Sequence, residues 1–119
     1  MLPRKHRLQR RKDFSKVYKT GKTLNAGLFR IKTKNNDVSD TRIGVVVSNK
    51  TVRKAVDRSK IKRKIRAAVQ ELLPELIQGK DIVILANTDI NQATYHDMLT
   101  DLQASFERIH FLKENNEKQ

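Results

Sequence analysis

The chain has 119 residues, of which 37% are hydrophobic and 33% charged, and it contains no cysteine. This length suits a single domain with a modest core, while the lack of cysteine excludes disulfides, cysteine-ligated zinc and thiol catalysis. A net charge of +13 favours a polyanionic partner. Because no segment approaches the ~20 apolar residues of a membrane span, we expect one cytoplasmic domain over residues 1–119 and no membrane partner.

The chain begins with a basic arm and a short helix. Residues 1–10 carry four Lys or Arg and show no periodicity, so we expect them to form a flexible arm. Residues 12–20 place Phe14, Val17 and Tyr18 on one helical face. A glycine follows this segment, as is common where helices end.

Strands are predicted next. Residues 28–33 alternate polar with apolar side chains, which indicates a half-buried strand with Phe29 and Ile31 turned inward. A further strand is expected around residues 22–27. The β-branched run at residues 42–48 is predicted to be a central strand.

The second half of the chain is predicted to form a helix, a strand and a second helix. Residues 55–73 carry an apolar stripe at helical spacing, and residues 81–86 are continuously apolar, as in a fully buried strand. Thr94 is predicted to cap the last helix, with Asp97 completing a capping box. Residues 113–119 form a polar tail that is expected to fray.

These elements predict an α+β fold in the order α-β-β-β-α-β-α. We expect a small two-layer sandwich in which helices pack on a central, mainly antiparallel β-sheet.

The most informative feature is the dense positive charge at the start of the long helix. Between Lys50 and Arg66 there are nine Lys or Arg and a single acid, although like charges this close destabilise a helix. Residues 1–66 hold 22 basic and 4 acidic residues, whereas residues 67–119 hold 4 and 9. The simpler interpretation is a charged helix face that contacts only water. The lack of acidic partners instead favours phosphate binding by this helix.

No residues form a self-sufficient catalytic or metal site. The three histidines do not have a metal-ligand spacing, and Asp97 and Asp101 are read as solvated acids. The aromatic residues Phe14, Tyr18 and Phe29 are either core residues or surfaces on which RNA bases stack. A ribosomal or other structured-RNA protein and an independent nuclease remain alternative functions.

Four motifs in series then resemble one family. Residues 58–66 are similar to the signature helix of the bacterial ribonuclease P protein component, Arg-Asn-x-x-Lys-Arg-x-x-Arg, with Ser59 in place of the asparagine. Residues 10–21 resemble the family's first helix, and residues 42–48 and 79–86 resemble the strands on either side of the signature. The resemblance covers about residues 4–112.

The resemblance implies an RNA-assisting role in an endoribonuclease. The protein would be a subunit of ribonuclease P that helps a catalytic RNA remove the 5′ leader of precursor transfer RNA with Mg²⁺, the protein itself breaking no bond. Its partners would be the ribonuclease P RNA and precursor transfer RNA, with no stable protein partner required. It also implies an unusual left-handed βαβ crossover.

The same resemblance suggests two sets of contact residues and no catalytic or metal-binding residue. The catalytic RNA would be contacted by Lys50, Arg53, Lys54, Arg58, Ser59, Lys62, Arg63 and Arg66. The cleft for the single-stranded leader would be lined by Phe14, Tyr18, Phe29 and Lys32.

Overall fold

The computed structural model describes residues 2–113, so all but the first residue of the predicted tail lies outside it. The helices and strands are α1 Arg11–Thr20, β1 Lys22–Ala26, β2 Phe29–Asn35, β3 Arg42–Val46, α2 Ala55–Leu72, β4 Lys80–Ala86 and α3 Tyr95–Arg108. Their order matches the prediction. None of the helices in the described part of the chain is long and apolar enough to cross a membrane.

The four strands form one mixed sheet in the order β1-β2-β4-β3. The β1–β2 and β2–β4 pairs are antiparallel and the β3–β4 pair is parallel, which confirms a mainly antiparallel sheet. The segment predicted to be a central strand is instead the outer strand β3, because β4 inserts between it and β2. The hand of the β3–α2–β4 crossover stays a prediction.

The sheet buries apolar side chains on both faces. Ile82 and Ile84 of β4 belong to the main core with residues of α2 and α3, whereas Val83 belongs to a second cluster with Val17 of α1. Successive strand residues point to opposite faces, so α1 lies on the face opposite α2 and α3. The predicted α+β architecture is confirmed, and α1 adds a partial third layer.

The N-terminal segment, expected to be a flexible arm, is packed along the free edge of β3. Leu2 and Leu8 are 2% and 4% exposed. The Leu8 amide donates to the Ile43 carbonyl at 3.0 Å, and the Nδ1 of buried His6 lies 2.8 Å from the Thr41 carbonyl oxygen. An outer strand offers unpaired backbone groups, and the two leucines bury apolar surface worth about 1.5–3 kcal/mol each. The basic, irregular composition of the arm gave no sign that its two leucines are buried.

The last helix begins at the predicted capping box. The Asp97 amide donates to Thr94 Oγ1 at 3.1 Å, and the Thr94 amide donates to Asp97 Oδ2 at 2.9 Å. Hydrogen bonding to the carboxyl by the Thr94 backbone amide, and secondarily by the Thr94 side chain, lowers the pKa of Asp97 below its ordinary value. The start of α3 was therefore encoded by two side chains three positions apart.

Candidate nucleic-acid interface

The positively charged side chains of α2 divide between two flanks of the helix. At about 100° per residue, four polar residues of the signature fall on one side of the buried stripe centred on Ile65. This group, here called the ridge, consists of Ser59, Lys62, Arg63 and Arg66. Lys62 is half-buried and the other three are exposed. Lys60, Lys64 and Glu71 fall on the other flank.

The ridge points away from α3. Tyr95 of α3 donates a hydrogen bond to Glu71 Oε1 at 3.3 Å, which places the flank of Glu71 toward α3. Since α2 packs against the outer strand β3 as well as α3, the ridge lies toward the outer edge of the sheet. Within residues 2–113 the ion pairs are those of Arg42 with Asp13 and Asp81. The ridge cations therefore face solvent without a carboxylate partner.

Arg58 differs from the ridge residues. It lies close to the buried stripe of α2, and its guanidinium Nη1 donates to the carbonyl oxygens of Val52 and Arg53 at 2.9 and 2.8 Å. The side chain is half-buried. In this structure the arginine predicted to contact RNA holds the loop that precedes its own helix.

That loop, residues 47–54 and here called the basic loop, presents the remaining predicted cations. Lys50, Arg53 and Lys54 are all exposed. The loop is held by Val52, which is 2% exposed, and by a 2.8 Å hydrogen bond from Asn91 Nδ2 to the Thr51 carbonyl. The loop is thus anchored at Thr51 and Val52, and its exposed cations precede the ridge.

On the other face, α1 crosses the strands along one row of paired residues. Gly44 of β3 and Val83 of β4 are register partners. Phe14 lies over Gly44, where an added Cβ would come within 2.6 Å of the Phe14 ring, and Val17 packs with Val83. Phe14 is therefore half-buried by the sheet and presents only part of its ring.

Tyr18 completes this row over β2. The Nζ of Lys32 lies 5.9 Å from the centroid of the Tyr18 ring, within cation–π range, and also donates to Thr23 Oγ1 at 3.3 Å. Tyr18 is 42% exposed, yet partial burial raises the pKa of its phenol. The Tyr18 ring is therefore packed beside Lys32, and part of its surface stays accessible to a ligand.

Phe29 does not belong to this cleft. It is 0% exposed and lies in the main core on the opposite face of the sheet, so the prediction that it lines the leader cleft is wrong. Side chains alternate along a strand, and the cleft face of β2 is formed by its neighbours Arg30 and Lys32. The sequence could have identified Arg30 as a cleft residue, because Arg30 occupies a polar position in the alternating pattern of β2.

The uncovered part of this face is a cavity of about 300 Å³. Arg30, Val46 and Leu85 form its floor, and Ser48 and Thr51 of the basic loop form one wall. Val46 and Leu85 were not predicted as site residues, because their apolar side chains resemble core residues in the sequence. The cavity places the cleft directly beside the basic loop.

The other end of α1 is tied to the sheet by an ionic network. Arg42 donates from Nε and Nη2 to the two carboxylate oxygens of Asp81 at 2.8 and 2.7 Å. Its Nη1 lies 3.4 Å from Asp13 Oδ2 on α1, and Asn36 Nδ2 donates to Asp81 at 2.9 Å. The hydrogen bond with Asp81 raises the pKa of Arg42. This network, here called the clamp, fixes where α1 crosses the sheet.

Comparisons with known proteins identify relatives over most of the chain. The sequence model of the family Ribonuclease P matches residues 2–110. A ribonuclease P protein component from Pseudanabaena sp. (strain PCC 6903) is 38% identical over 104 residues, covering 87% of this chain and 90% of its relative. One from Bacillus cereus (strain AH187) is 34% identical over 108 residues, covering 90% and 93%.

Solved structures show the same fold. A Staphylococcus aureus RNase P protein superposes with a TM-score of 0.82 at 28% identity, covering 91% of this chain and 98% of that one. The RNase P protein from Thermotoga maritima superposes with a TM-score of 0.77 at 27% identity, covering 86% and 96%. Similarity of sequence and fold over almost the whole described chain leads to one conclusion: the chain belongs to the ribonuclease P protein-component family.

Proposed function

We propose that this chain binds the catalytic RNA of ribonuclease P through the ridge and the basic loop. The cleft beside α1 holds the single-stranded 5′ leader of precursor transfer RNA. The assembled particle removes that leader in the presence of Mg²⁺, in the cytoplasm, and the RNA subunit breaks the bond. The protein contributes affinity and position.

The observation that carries the proposal is the unneutralised ridge. Lys62, Arg63 and Arg66 project from one flank of a rigid helix with no carboxylate within ion-pair distance in residues 2–113. Binding of such cations to phosphates releases condensed counterions from the RNA, which supplies affinity without sequence recognition. Ser59 adds a hydroxyl that can donate to a phosphate or sugar oxygen.

The cleft supplies the second kind of contact. Base stacking on an aromatic ring contributes about 1–3 kcal/mol per base, and Tyr18 offers such a ring beside the Lys32 ammonium. Arg30 adds positive charge on the same face of β2. Because the adjoining cavity ends at the basic loop, a leader strand lying there would run next to RNA docked on the loop.

The chemistry of bond cleavage is assigned to the RNA. Across residues 2–113, no three His, Asp or Glu side chains are grouped as a metal site would require. Asp13 and Asp81, which lie on the cleft face, are both engaged by Arg42. Mg²⁺ is proposed to be bound mainly by the RNA subunit.

The ridge is tested with two variants of equal charge. Replacing Lys62 and Arg66 by Ala removes two ridge cations, while replacing Lys60 and Lys64 by Ala removes two cations from the flank facing α3. We expect the first pair to weaken binding of the catalytic RNA and to make the log–log salt dependence shallower by roughly 1.4–1.8. Equal loss in both variants would mean that net charge, and not the ridge, determines binding.

Activity distinguishes this function from its rivals. The purified chain should restore leader cleavage to the catalytic RNA at low Mg²⁺, which a general structured-RNA protein would not do, and it should cleave nothing alone. Tyr18→Ala should weaken binding of precursor transfer RNA more than that of mature transfer RNA. If both substrates lose affinity equally, the cleft does not hold the leader.

A further inference from the structure

The N-terminal arm passes from one face of the protein to the other around the edge of β3. Leu2 belongs to the main core beneath α2 and α3, whereas Leu8 belongs to the cluster beneath α1. Between them, Arg7 forms a parallel bridge with Ile43 of β3. The segment between the two leucines must therefore run along the outer edge of the sheet.

The ridge of α2 is turned toward the same edge. The opposite flank of α2 is occupied by the contact of Glu71 with Tyr95 of α3, and α2 packs on β3, the outer strand. Leu2 belongs to the main core, which residues of α2 also form. Two basic segments more than 50 positions apart in sequence, the arm and the ridge, thus lie toward the same edge of the sheet.

The arm presents positive charge outward from fixed positions. Its inward residues are buried, while Arg4 and Lys5 are exposed between them. Residues 4–6 form a single 3-10 turn, and His6 anchors that turn through Nδ1 to the Thr41 carbonyl oxygen at 2.8 Å. The cations are therefore displayed by an ordered backbone.

Arg7 adds a third cation to the arm. Its side chain is half-buried, and its backbone bridges to Ile43 at the edge of β3. A guanidinium matches the geometry of phosphate oxygens.

We propose that the arm and the ridge form one bipartite phosphate-binding surface around the edge of β3, with Arg4, Lys5 and Arg7 as its second half. This inference rests on the proposed function, because the ligand is the backbone of the same catalytic RNA that docks on the ridge. The arm would add a second basic segment of the chain to the footprint of the ridge and its loop.

The charge of the arm is tested by replacing Arg4 and Lys5 together with Ala. The probe is the catalytic RNA, titrated across a range of salt concentrations against the full chain, with the Lys60/Lys64 double variant as the control of equal charge. We expect weaker binding and a salt dependence shallower by roughly 1.4–1.8. A change no larger than that of the control would overturn the proposal.

The two proposals fail in different ways. If the Lys62/Arg66 variant loses affinity and the Arg4/Lys5 variant does not, the arm is not part of the surface and the proposed function stands. If neither variant loses affinity, both proposals fail. Unchanged urea midpoints establish that the exposed substitutions act on binding and not on folding.

The fixed position of the arm is tested without a change in its Lys and Arg content. His6→Ala removes the hydrogen bond to the Thr41 carbonyl and leaves Arg4, Lys5 and Arg7 in place. We expect weaker binding of the catalytic RNA, measured well below the unfolding midpoint of the variant. Full affinity in a His6→Ala protein whose arm is shown by amide exchange to be detached would overturn the requirement for a pinned arm.

Discussion

The clamp predicts a large loss of stability when Arg42 is replaced, because Arg42 joins two nearly buried carboxylates. Asp13 and Asp81 are 8% and 6% exposed, and the Arg42 side chain is 22% exposed. Arg42→Ala would leave both acids without their cation. Removing one partner of a buried pair costs about 3–5 kcal/mol, and the residual exposure of Arg42 argues for the lower end, about 3 kcal/mol.

Urea unfolding followed by circular dichroism measures this loss. With a urea m-value of about 1.5–2 kcal/mol/M, which is ordinary for a small domain, the midpoint should fall by about 1.5–2 M. Arg42→Lys retains the charge but cannot reproduce the paired contacts of the guanidinium with Asp81. That variant should lie between the wild type and Arg42→Ala.

Arg30→Ala is the matched control. Arg30 is exposed on the same face of the sheet and donates one hydrogen bond, to Asn25 Oδ1 at 3.2 Å. Surface substitutions of this kind change stability by about 0.5 kcal/mol or less. If Arg42→Ala is no more destabilising than Arg30→Ala, the clamp does not hold α1 on the sheet and the reasoning is refuted.

Three further predictions concern single residues. Arg58→Ala should increase amide exchange of the preceding loop, since two hydrogen bonds to its carbonyls are lost; unchanged exchange would show that the loop holds itself. Gly44→Ala should destabilise the protein by about 1–3 kcal/mol in urea, because the new methyl overlaps the Phe14 ring, and a stability equal to wild type would mean that the ring moves freely. Thr94→Ala should cost about 1 kcal/mol by loss of the α3 cap. Because the Thr94 backbone amide still donates to the Asp97 carboxylate in Thr94→Ala, the pH dependence of the same cap is tested with Asp97→Asn. As the folded pKa of Asp97 is depressed, the stabilisation by its carboxylate is present above the ordinary carboxyl pKa and is lost as pH falls through the folded value, so Asp97→Asn and wild type should converge in acid urea titrations.

The helices and strands were predictable because their signals are local. The apolar stripe of α2 and the Thr94–Asp97 capping box each lie within a few turns of one helix. The concentration of positive charge near Arg66 likewise identified the ridge, and motif order identified the family. These features depend on side-chain type and spacing, which any isolated segment retains.

The sequence alone determined which segments are helical, which are extended and where the positive charge is concentrated. Only the tertiary structure decided that β3 is an outer strand, that the arm occupies its edge and that Phe29 faces the core while Arg30 faces the cleft. The tertiary structure also decided that Arg58 contacts the loop that precedes its own helix. Each of these outcomes depends on contacts between residues far apart in the chain, where burial and backbone pairing outweigh local composition.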